Sequence, residues 1–141
     1  MKRRVKRLRE QCERKSKAPR YISLTCISKS TGIPARTLGR WLRHGPVWIP
    51  RPAVLLGANG RPGWEPEAVI GWEPGLPALK RPEPVRYWNT TEMQERWHVT
   101  TETLWLAIAE DGSIPAPDMW LAGTPGWRAT EKASRHTAGN R

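Results

Sequence analysis

Residues 49–64 and 114–127 are two versions of one phrase. The first reads IPRPAVLLGANGRPGW and the second IPAPDMWLAGTPGW. Each opens with Ile-Pro-x-Pro-x-x-x-Leu, at Ile49–Leu56 and Ile114–Leu121, and each closes with Pro-Gly-Trp, at Pro62–Trp64 and Pro125–Trp127. Upstream, Ile33-x-x-x-Thr37-Leu38 matches Val99-x-x-x-Thr103-Leu104. The matched positions stand 66, then 65, then 63 residues apart, so order is kept while the intervening segments change length slightly. This duplication constrains the fold more than any local propensity, because it divides 141 residues into two copies of one small unit.

The local pattern predicts the same elements in each copy. In the first, Ser23 caps a short helix with Leu24 and Ile27 on one face, and Gly32 ends it. Pro34 suits the first turn of a second helix from about Ala35 to His44, with Gly45 as its stop. Leu38, Trp41 and Leu42 form its buried stripe. Ala53 to Leu56 reads as a strand, Asn59-Gly60 as the turn and Trp64 as the return, and the flanking prolines predict a two-stranded ribbon with exposed edges. Glu65-Pro66 then opens a third helix through Val69, Ile70 and Trp72.

In the second copy, Thr90 or Thr91 caps a helix containing Met93 and Trp97, and Thr100 caps the next. That helix, Thr101 to Glu110, is expected to turn Leu104 and Ile108 inward and Thr101, Glu102, Trp105 and Ala107 outward. Met119 to Leu121 and Trp127 make its hairpin, and a further short helix passes through Lys132 and Ala133. The expected fold class is mainly α with small β-hairpin wings, in two tandem winged helix-turn-helix units. Unit 1 spans 21–73 and unit 2 spans 87–133; a Pro-rich linker, 74–86, joins them, a basic arm, 1–20, precedes them, and a disordered tail, 134–141, follows.

Charge distinguishes the copies. Residues 1–20 hold ten Lys or Arg against Glu10 and Glu13, and residues 21–64 hold six and no acid. Residues 65–141 hold eight against eleven acids, and within 87–127 Arg96 alone faces Glu92, Glu95, Glu102, Glu110, Asp111 and Asp118. A polyanion is the natural partner of the N-terminal half. Apolar residues make up 38% of the chain, below the usual 45–50% or so, and the absence of Phe beside nine Trp points to small cores anchored by large aromatics. No apolar run is long enough to span a membrane, no signal-peptide pattern follows the N-terminal charges, and only Val5 and Leu8 offer an apolar face for a basic helix there. Cys12 and Cys26 form no CxxC, and His44, His98 and His136 show no metal spacing. A reducing, cytoplasmic and nucleoid-associated setting is expected, with no cofactor and no metal.

The matching segments resemble the MerR-like and excisionase-like (AlpA-type) winged helix-turn-helix DNA-binding group. They are ISKSTGIPARTLGRWLRHG, IPRPAVLLGANGRPGW and PEAVIGW in the first copy, and WHVTTETLWLAIAEDG and IPAPDMWLAGTPGW in the second. The resemblance implies DNA binding by the second helix and the wing, and leaves transcriptional regulation and recombination both open.

With Leu38, Trp41 and Leu42 inward, Arg36, Arg40 and Arg43 fall at i, i+4 and i+7 on the opposite side. A recognition helix needs that layout: an apolar stripe to fix its pose and donors for the groove. Arg36, Thr37 and Arg40 are assigned to bases, Arg43 and Lys29 to the backbone. Arg61, at the expected wing tip, reaches a phosphate or the minor groove, or is an ordinary turn arginine. Arg3, Arg4, Lys6 and Arg7 belong to a mobile or DNA-ordered arm that adds non-specific affinity. For the acidic unit two readings stand: it touches bases through Thr101 and Glu102, or it binds a protein through Trp105 and Glu102. No catalytic constellation is present, so the expected protein is a double-stranded DNA-binding regulator or excisionase-like factor and not an enzyme. The alternative is an adaptor to polymerase or a recombinase; a homodimer is compatible with either.

Overall fold

The computed structural model describes residues 2–77 and 82–129. The expected tail, 134–141, and the helix through Lys132 lie outside them. The chain forms α1 (Lys2–Lys15), β1 (Arg20–Tyr21), α2 (Leu24–Thr31), α3 (Ala35–His44), β2 (Val54–Leu56), β3 (Arg61–Gly63) and α4 (Pro66–Val69). It continues with β4 (Val85–Trp88), α5 (Thr90–Trp97), α6 (Thr101–Leu106) running into a π-helical turn (Ala107–Asp111), β5 (Met119–Leu121) and β6 (Thr124–Arg128).

The hairpins are not wings. All six strands form one sheet in the order β1-β5-β6-β4-β2-β3. Its two ends meet where Ile22 and Trp64 exchange backbone hydrogen bonds of 2.9 and 3.0 Å, so the sheet nearly closes into a barrel. The expected mainly-α fold of two winged units is therefore replaced by a mixed α/β fold with a shared barrel. The exchange is reciprocal. β1 of the first unit runs parallel to β5 of the second, and β4 of the second runs parallel to β2 of the first. Tyr21 lies opposite Leu121, and Tyr87 opposite Leu56. These are the same pairing under the internal offset, so the barrel has a pseudo-two-fold axis along its length.

The prolines do not leave the ribbons unpaired, because neighbouring residues carry the bonds. Ala53 N–H donates to Gly63 O at 2.8 Å, and Val85 N–H donates to Ala53 O at 2.9 Å. Val54, Leu56, Met119 and Leu121 fill the barrel, with Tyr21 and Tyr87 packed against them. Alternation along each strand puts these residues on one face. Gly63 and Gly126 stand at equivalent places where a side chain would not fit. A Cβ on Gly63 would sit 2.8 Å from both Leu121 Cδ1 and Val54 Cγ2, and one on Gly126 would sit 2.7 Å from Met119 Sδ.

Each helix pair packs on the outside over its own core, and the cores also match. Ile27, Leu38, Ile49 and Trp64 in one correspond to Met93, Leu104, Ile114 and Trp127 in the other. Trp64 Nε1 donates to Pro50 O at 2.7 Å, and Trp127 Nε1 to Pro115 O at 2.8 Å. The repeated phrase is thereby explained: in each copy the closing Trp donates its indole N–H to the Ile-Pro turn that opens the phrase. The third helix is short; Ile70 beyond it is 77% exposed, while Trp72 returns to the core.

Gly63→Ala overfills the barrel and should cost about 1–3 kcal/mol, read from the urea midpoint. A pH dependence also follows. Burial pushes the Tyr21 and Tyr87 phenols above their ordinary value of 10.0, and Tyr87 and then Glu65 raise Tyr21 further; Arg128 partly offsets the rise at Tyr87. The folded chain thus holds these protons more tightly than the unfolded one. Their contribution is complete below pH 10 and is lost as pH rises through the elevated values. Tyr21→Phe with Tyr87→Phe should flatten that alkaline loss in denaturant titrations.

Candidate nucleic-acid interface

The α2–α3 turn is built to be stiff. Ser23 caps α2 by accepting from Cys26 N–H, and Gly32 closes it in the left-handed region at φ 80°. Thr31 Oγ1 donates to Ile27 O at 2.8 Å and accepts from Ile33 N–H at 3.2 Å, while Ser28 Oγ donates to Ile33 O at 2.6 Å. Pro34 is the cap itself and not the first helical residue; its carbonyl accepts from Leu38 N–H at 3.0 Å. Leu38 and Gly39 are buried, with Trp41 and Leu42 half-buried beside them. This fixes the roll of α3.

Arg36, Arg40 and Arg43 are exposed along one side of that helix, with Lys29 exposed at the end of α2. Thr37 is half-buried. Among the described residues the ion pairs are Arg4–Glu102, Arg20–Glu13 and Arg51–Glu83, so none involves these cations. Seven residues at 1.5 Å each set Arg36 about 10 Å from Arg43 along the axis, within the roughly 12 Å width of a major groove.

Arg61 is not at a projecting tip. It begins β3 at the barrel end, and its Nη1 donates to Thr124 Oγ1 at 3.4 Å. Thr124 is its counterpart in the second copy, so this contact crosses the pseudo-two-fold axis. The adjoining turn is tied down by Gly57 N–H donating to Tyr87 O at 2.9 Å.

The arm expected to be mobile or ordered by DNA is a helix over Lys2–Lys15. Val5, Leu8 and Cys12, at i, i+3 and i+7, pack against the core of the second unit. Arg4 Nη1 lies 3.5 Å from Glu102 Oε2 at one end. At the other, Arg20 donates to Glu13 Oε2 at 3.1 Å, to Glu13 O at 2.6 Å and to Ser16 O at 3.3 Å. Arg3, Arg4, Lys6 and Arg7 are all exposed on this helix. Burial, with Glu13 beside it, raises the Cys12 thiol above its ordinary value of 9.0.

This docking corrects the reading of the acidic unit. Trp105 and Ala107 are buried, 1% and 8% exposed, not outward-facing. The Trp105 ring meets the Trp127 ring at a tilt of 51° with centroids 6.1 Å apart, and Glu102 is half-buried against Arg4. Glu102 pairs with Arg4 of α1, and α1 packs on the core that holds Trp105. Arg96, the single base within 87–127, lies 3.7 Å over the Trp88 ring. Arg14, which the sequence did not single out, is exposed on α1; the helical spacing from Arg3 and Arg7 was the available signal.

No group of three His, Cys, Asp or Glu is gathered for a metal among the described residues, and none of their helices is long and apolar enough to cross a membrane. No family model, curated protein or solved structure matches the chain.

Leu8→Asp puts a charge into the α1 seat and should lower stability by about 2 kcal/mol in urea unfolding. Lys6→Asp, on the exposed side, should stay within about 0.5 kcal/mol.

Proposed function

We propose that the chain is a sequence-specific double-stranded DNA-binding protein, a transcriptional regulator or excisionase-like architectural factor, that reads the major groove with α3. One observation carries this reading: Arg36, Arg40 and Arg43 stand exposed in a row on a helix whose roll is locked, in a region, residues 21–64, with no acid. Arg36 and Arg40 supply the forked donors that match guanine O6 and N7. Arg43 and Lys29 hold phosphates, and the α1 cations add attraction that does not depend on sequence. Thr37, half-buried, contacts bases only through its exposed edge. The likeness to the MerR-like and excisionase-like group rests on the helix pair alone, since the hairpins are barrel strands.

The test uses the whole chain, because the two units share one sheet. Selection from random duplexes should return a preferred site. Log affinity for it should fall with log salt at a slope near −5, as expected for about six neutralised phosphates. Arg36→Ala with Arg40→Ala should weaken the preferred site by about 1–3 kcal/mol per lost bidentate contact and flatten base preference. Unchanged strength and preference in that variant would remove α3 as the reading element.

A further inference from the structure

The internal offset of 66 places Arg36 and Arg40 of α3 on Glu102 and Leu106 of α6. Glu102 is where Arg4 lands. The side of α6 that corresponds to the cationic side of α3 thus meets α1 at Glu102, the place of Arg36, while Ala109, the place of Arg43, is small and exposed. We propose that α1 takes the place of α6 as the duplex-facing element of the second unit. It is a pre-formed helix that tracks phosphates, so duplex DNA is held at two places related by the barrel's pseudo-two-fold axis, and only α3 reads bases. This rests on the duplex-binding reading above.

Three observations support it. First, α1 is two-sided: Val5, Leu8 and Cys12 face the core, while Arg3, Lys6, Arg7 and Arg14 are exposed on the opposite side, with Glu10 the one acid among them. From Arg3 to Arg14 this stripe is about 16 Å long at 1.5 Å per residue. Second, the helix is pinned near both ends, by Arg4 to Glu102 and by Arg20 to Glu13 and Ser16. It would meet phosphates without first being ordered, unlike a flexible arm. Third, α1 reverses the sign of its unit. Glu102, Glu110 and Asp111 on α6 and its π-helical turn would repel a phosphate; α1 pairs with Glu102 and presents cations beside the other two, which stay exposed.

The experiment compares the full chain with the triple variant Arg3→Ala, Arg7→Ala and Arg14→Ala on the duplex that the wild type selects. These side chains are exposed, and an unchanged urea midpoint verifies the fold. The expected result is a salt slope shallower by about 2–3, affinity at least tenfold weaker at about 0.1 M salt, and unchanged base preference. The footprint should lose backbone protection at one end only. Amide exchange adds an independent readout: residues 5–12 should be protected in the free protein and no more so with duplex. An unchanged slope and footprint would overturn the proposal. So would α1 amides that exchange freely until duplex is added, the mark of a mobile arm. If the wild type binds duplex and Arg36 and Arg40 set its preference while the triple variant behaves as wild type, this inference alone falls. If the wild type binds no duplex, both readings fall.

Discussion

Parallel pairing of each unit's first strand with the other unit's hairpin is the constraint on which the rest of the molecule depends. β1 and β4 are short and leave each unit with an unfinished sheet edge. Backbone groups on such an edge must find partners, and here each half finds them on the other. Close packing inside the ring then leaves no volume for a side chain at Gly63 or Gly126. Both helix pairs are consequently fastened to one rigid ring, and the pose of α3 relative to α1 is set by the barrel and not by the Pro-rich connection between the units.

The duplication was legible because its signals are large side chains at fixed order, and the structure accounts for the drifting offset. The π-helical turn Ala107–Asp111 adds a residue, moving the spacing from 66 to 67 between Gly45 and Gly112. The loop from Gly112 to Ile114 is two residues shorter than that from Gly45 to Ile49, which brings it to 65. A four-residue turn at 57–60 answers a two-residue turn at Ala122–Gly123, which brings it to 63. The barrel was not legible because a strand of two residues has no periodicity to detect. One trace existed. Arg20-Tyr21 and Arg86-Tyr87 repeat at the offset of 66, just ahead of the caps Ser23 and Asn89.

An outward Trp105 and a basic arm read as mobile or DNA-ordered, where the chain has a buried Trp105 and a docked helix, share one cause. A helical wheel of α6 leaves Trp105 and Ala107 outside the stripe of Leu104 and Ile108. A wheel of α1 leaves Val5, Leu8 and Cys12 without a partner. Each apolar remainder is the other's cover, and a local pattern cannot pair faces that lie roughly a hundred residues apart. The stripe of α3 was legible for the opposite reason. Two of its core partners, Ile27 and Leu24, come from the adjacent helix, and apart from His44 what remains outside is cationic or small.

A two-fold frame ordinarily presents equal faces, and in DNA-binding dimers that symmetry matches palindromic half-sites. This barrel keeps the frame and breaks the equality. One side carries Arg36, Arg40 and Arg43 directly on the second helix of the pair; the other has Glu102 and Leu106 at the corresponding places, with Glu102 paired to a separate cationic helix. Base-edge donors and phosphate cations do different physical work: the first discriminate sequence, the second only attract. On the proposed reading, duplication within one chain is what makes such a division available, because two copies in a homodimer would carry identical faces. The site that fits it is asymmetric, a short base-specific segment flanked on one side by contact indifferent to sequence.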